Sequence, residues 1–118
     1  MKAAALLAAA AVLLPVPALA QNVSAFAPGA ATVSLAVTGA TARVQVQTAA
    51  NNPSMRVYNA GTVPVFLACG DVAIVATVAA GMPIAPGTVE VIGCKQQYVA
   101  GISAGTAATV YITPGSGI

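Results

Sequence analysis

Histidine and tryptophan are absent from this chain, and charge is nearly so: four Lys or Arg and two Asp or Glu stand among 118 residues. Without histidine, no Ser–His or Cys–His pair can be assembled for nucleophilic catalysis. Two cysteines fall short of a tetrahedral set, so no Cys/His metal site can be built either. Asp71 and Glu90 are the only carboxylates on side chains, and glycosidase-type work would need both. Asp71 follows Cys69-Gly70 in a turn, and Glu90 reads as pointing outward between Val89 and Val91. No further polar group stands by to raise one pKa and lower the other. The reading is therefore of a protein that is not an enzyme, with no catalytic residue and no cofactor.

Scarce cations exclude further classes. Beyond the N-terminal run only Arg43, Arg56 and Lys95 remain, too scattered for the basic stripe of a nucleic-acid binder or the cluster that holds an anionic lipid surface. Gly29, Gly39 and Gly61 stand at turns, and none opens a helix as a phosphate-cradling loop does. An ordinary soluble surface is about a quarter to a third charged. Here the outside must be built from Thr, Ser, Gln, Asn, Gly and Ala. That leaves two solutions: a monomer with a bland surface, or a subunit whose faces are covered by neighbours.

What is present begins with a leader. Met1-Lys2 is a short basic start, Ala3 to Leu14 is unbroken apolar sequence, and Pro15 and Pro17 end it before Ala18-Leu19-Ala20. Charged start, short apolar run and small-residue box are the order of a secretory signal. The run is shorter than the ~20 apolar residues that span a bilayer. Residues 1–20 are thus expected to be a signal helix, cleaved between Ala20 and Gln21. The exported protein, periplasmic or extracellular, then keeps no stable membrane anchor.

From Gln21 onward the pattern is short strands between turns. Residues 21–31 read as an extended arm, 32–113 as one domain, and 114–118 as a flexible tail. Ala42 to Gln47 alternates strictly, with Ala42, Val44 and Val46 inward and Arg43, Gln45 and Gln47 outward, the period of a half-buried strand. Thr32–Val37, Met55–Asn59, Val63–Ala68, Thr88–Ile92, Tyr98–Ile102 and Ala107–Thr113 read as further strands. In the last, Val110 and Ile112 share one face and Thr109, Tyr111 and Thr113 the other. The nearly continuous Val72–Val78 run reads as a strand buried on both faces. Pro and Gly from Ala80 to Gly87 mark a loop. About eight short strands separated by turn signals predict an all-β chain, a single antiparallel β-sandwich or jelly-roll-like domain.

Cys69 and Cys94 each end a predicted strand. Three adjacent strands in one sheet would hold them about 9.6 Å apart, beyond disulfide reach. A third strand that crosses to the facing position permits a bridge, which an oxidising compartment favours; the other outcome is two buried thiols. Tyr58, Tyr98 and Tyr111 are either ordinary half-exposed sheet residues or an aromatic platform for a sugar. Together with Arg43, Gln45 and Gln47 they form the candidate contact surface.

Three stretches, Arg56-Val57-Tyr58-Asn59-Ala60-Gly61-Thr62-Val63-Pro64-Val65-Phe66, Met82 through Val91, and Val99 through Gly117, resemble a group of small virion structural or decoration proteins of tailed phages and prophages. The resemblance implies a protein that works by assembling, in a virion particle, and it carries over no catalytic residues. The leader and the Cys pair depart from that pattern. The expectation is a structural, self-associating homo-oligomer, with the Arg43–Gln47 and Thr109–Thr113 strands as contact surfaces. The alternative is a secreted binding module that recognises a glycan or cell-surface partner through its Tyr-bearing face.

Overall fold

The computed structural model describes residues 25–117. The expected signal helix, the Ala20/Gln21 cleavage site and the first residues of the arm lie outside the described residues. The described chain is all β: β1 (Ala27–Pro28), β2 (Val33–Val37), β3 (Ala42–Gln45), β4 (Ser54–Asn59), β5 (Val65–Gly70), β6 (Met82–Ile84), β7 (Val89–Gly93), β8 (Tyr98–Ser103) and β9 (Ala108–Ser116). They form two antiparallel sheets. In sheet A, β9 lies between β4 and the β1/β2 edge and β7 forms the far edge; sheet B runs β3-β8-β5-β6.

The pairings nest. β2 pairs with β9, β3 with β8, β4 with β7, and β5 with β6, like one long hairpin whose tip is the segment between β5 and β6. Winding that hairpin up brings β4 beside β9 and β5 beside β8. Each strand then turns one face to a common core. Met55, Val57 and Ile112 from sheet A meet Val65, Leu67 and Val99 from sheet B in one cluster. The alternation of β9 explains its orientation: Val110 and Ile112 are buried, while Tyr111 is exposed and Thr109 and Thr113 are half-buried. Burying two β-branched side chains per strand at about 25 cal/mol per Å² of apolar surface outweighs any local preference.

A disulfide ties the two layers together. Cys69 lies near the end of β5 in sheet B and Cys94 directly follows β7 in sheet A. The two residues are bonded, with Cα atoms 6.2 Å apart, which is the facing arrangement that permits a bridge.

Several readings of the sequence are corrected. The Val72–Val78 run is not a buried strand. β5, the strand it follows, is already flanked by β6 and β8, so it cannot pair beside β5. It lies instead as a loop across the outer face of sheet B. Ala76 is buried there and its N–H donates to Thr41 Oγ1 at 2.9 Å. Ile74 packs on Gly70, where an added Cβ would meet its side chain at 2.8 Å. The outward-facing Ala100 is consequently fully buried, while Val72, Val75 and Val78 are 58%, 55% and 45% exposed.

Gln47 does not point outward. The β3 ladder ends at Gln45, and Gln47 turns inward as a polar anchor. Its Nε2 donates to Gln96 O at 2.9 Å, and its Oε1 accepts from Asn52 Nδ2 at 2.9 Å. Met82–Ile84, expected within a loop, forms edge strand β6 on β5, a place where Pro83 costs no ladder bond. Residues 114–116 are not a flexible tail but the end of β9, with Pro114 and Gly115 buried. The arm explains this: Ala27 and Pro28 pair with Ser116 and Gly115, and Gly29 N–H donates to Pro114 O at 2.8 Å.

Candidate interaction surface

β4 and β9 both alternate, and their register decides what the outer face of sheet A presents. Tyr58 stands opposite Tyr111, and Arg56 opposite Thr113. On the other flank β7 sets Val89 against Tyr58 and Val91 against Arg56. The two tyrosine rings are 6.3 Å apart with planes inclined by 17°, an offset parallel pair of the kind aromatic quadrupoles favour. Tyr58, Tyr111 and Val89 are 40%, 43% and 44% exposed. Beside them Thr32 and Thr113 join hydroxyl to hydroxyl at 2.6 Å. These side chains and Arg56 line a shallow hollow of about 350 Å³ that contains no carboxylate. It offers aromatic and aliphatic area, the hydroxyls of two threonines and two tyrosines, and one guanidinium.

The remaining members of the predicted surface lie elsewhere. Tyr98 pairs with Gln45 and Gly70 on sheet B, so the three tyrosines do not share one face. Arg43 and Gln45 are exposed on the edge strand β3. Gln47 is buried and leaves the surface altogether. The Thr109–Thr113 stretch has strands on both sides, so only its outer face, and no ladder edge, is open to a neighbour.

Glu90 also departs from expectation. Its partner across the ladder is Val57, a fully buried core residue; Val89 and Val91 take the outward positions instead. Glu90 therefore takes the inner phase on edge strand β7, where it nonetheless stays exposed, as the sequence suggests. There it borders a cleft of about 450 Å³ between the sheets that is lined by Leu67, Cys69, Met82 and Val99. Asp71 opens onto a different hollow, with Gln96, Gln97 and Tyr98. Among the described residues, no three of His, Cys, Asp and Glu are grouped to hold a metal.

Sequence reasoning missed Val89 and the threonine pair, because their place beside the tyrosines depends on register between distant segments. It also gave Asn59, the last residue of a predicted strand, no role of its own. Asn59 is fully buried; its Nδ2 donates to Val63 O at 2.8 Å and Ile84 O at 3.0 Å, and its Oδ1 accepts from Gly61 N–H at 2.9 Å. The only signal for this is its inward phase in β4 after Met55 and Val57. The chain matches no family model, no curated protein and no solved structure.

Proposed function

We propose that this is a non-enzymatic structural protein, virion- or prophage-like, that works by self-association through the outer face of sheet A. The observation that carries this reading is the cluster of Tyr58, Tyr111 and Val89, exposed together on one sheet face with one charge among them. Apolar side chains gathered in this way mark contact sites, whereas the same residues scattered singly would not. Nearly uncharged surroundings supply little repulsion between copies. We read the nested pairings of β2 to β9 as a jelly roll, an architecture that serves both capsid and lectin domains; this is support by analogy of fold.

The test is mass in solution. Light scattering across a concentration series is expected to show an oligomer. Replacing Tyr58 and Tyr111 together by alanine is expected to weaken association about 30-fold, the effect of losing a central aromatic contact. A monomer mass at high micromolar concentration overturns the reading.

The paired rings ringed by Arg56, Thr32 and Thr113 favour a second reading, a glycan-binding module on the same face. Stacking on a sugar with hydrogen bonds from the flanking polar groups would use every member of the hollow. Saccharide-dependent quenching of tyrosine fluorescence in a monomeric protein is the result that selects it.

The place of action is read as outside the cytoplasm, after removal of residues 1–20. The Cys69–Cys94 bridge supports this, since oxidising compartments are where structural disulfides persist. Intact-mass measurement of protein recovered from a bacterial periplasm or medium is expected to give a chain beginning at Gln21. Met1 retained on the soluble folded protein counts against export.

A further inference from the structure

The molecule carries a second apolar patch, on its opposite side. Val72, Val75 and Val78 crown the loop that covers the outer face of sheet B, and all three are exposed. Asp71 opens this loop, its Oδ1 accepting from Ala73 N–H at 2.9 Å. The Tyr58/Tyr111/Val89 patch lies across the core, with Arg56 as the only formal charge in its hollow. The hollow of the first patch thus holds Arg56, and the loop of the second opens on Asp71, a charge of opposite sign. Arg43 is exposed on edge strand β3 of sheet B, and Lys95 is exposed next to Gln96 and Gln97, which line the hollow onto which Asp71 opens.

These features constrain how copies can meet. A two-fold contact of sheet A on sheet A would set two Arg56 guanidinium groups over hollows that contain no carboxylate. Like charges at a contact are costly, and complementary ones select the partner and the register. Laying the loop of a second copy on sheet A instead covers aromatic with aliphatic area and supplies a carboxylate.

Resting on the self-association reading, we propose that the outer face of sheet A receives the 71–81 loop of a second copy of this chain. Val72, Val75 and Val78 lie against Tyr58, Tyr111 and Val89, and Asp71 approaches Arg56. Donor and acceptor surfaces are on opposite sides of one protomer, so the contact is heterologous. It repeats head to tail and generates a ring if the rotation closes, or a filament if it does not.

Charge reversal tests this. R56E and D71K are each expected to weaken association by at least about tenfold, and D71N, which keeps an oxygen for Ala73 N–H, by less. An equimolar mixture of R56E and D71K is expected to reassemble, because every contact in an alternating chain is again complementary. The double variant R56E/D71K is expected to recover most of the wild-type association. Unchanged far-UV circular dichroism and melting temperature of each variant establish that folding is intact. If the wild-type protein is monomeric, self-association itself fails, and this inference with it. If the wild type assembles but the reversals have no effect, or the mixture and the double variant stay dissociated, the loop-on-sheet contact alone is overturned. A closed two-fold dimer also overturns it.

Discussion

Replacing Cys69 and Cys94 together by alanine is expected to lower the unfolding free energy by about 3.5 kcal/mol, the chain-entropy value for a closed loop of this size. The bridge joins residues 25 apart in sequence and spans the two sheets. Its native role is local as well as entropic. β7 is an edge strand that pairs only with β4, and Cys94 follows it directly, with its N–H on Pro53 O at 3.0 Å. Without the bridge, the β7 edge is held to sheet B only by core contacts across the cleft that Leu67, Met82 and Val99 line. For a domain near 100 residues the loss corresponds to about 20 °C in Tm. Thermal melts with and without reductant, beside the double variant, measure it. Equal melting temperatures in all three would mean that the bridge adds nothing to the packed sheets. Hydrogen exchange should locate the loosened segment in Val89–Gly93 before the rest of sheet A.

The second large effect concerns Asn59. Asn59→Ala is expected to destabilise the fold by about 3 kcal/mol, because it strands the carbonyls of Val63 and Ile84 and the N–H of Gly61 at once. A buried group without its partner costs about 1–3 kcal/mol, and total stability of such a domain is only about 5–15 kcal/mol. Asn59 is a junction. It ends β4 in sheet A, holds the turn that leads into β5, and reaches the end of β6 in sheet B. Its backbone joins in as well, N–H to Thr88 O at 3.1 Å and carbonyl from Gly87 N–H at 2.8 Å. Asn59→Asp keeps the size but removes both donors, and it is expected to cost at least as much as alanine. Urea denaturation of the two variants checks this, and a loss below about 1 kcal/mol for either would show that water replaces the side chain.

Local periodicity carried much of the architecture. The alternation of Ala42 to Gln45, and of Thr109 to Thr113, was legible because a strand's side chains change face at each residue. Two cysteines in a chain whose first residues read as an export signal made the bridge an expectation, and the absence of histidine bounded the chemistry before any fold was known. Periodicity has no access to partners. It says that Tyr58 and Tyr111 point away from a core, yet only the β4–β9 register places them side by side and leaves Tyr98 on the other sheet. Nor can it say whether an apolar run joins a ladder. Val72–Val78 has the composition of a central strand, but β5 already has both neighbours, so the run covers a face and exposes three valines. Gln47 has the phase of a surface residue and is buried because β3 ends two residues earlier, where Asn52 and Gln96 approach. Composition and phase are properties of neighbouring residues. Which strands pair, in what register, and what then remains uncovered are decided by contacts between segments far apart in the chain, made when the nested hairpin winds up.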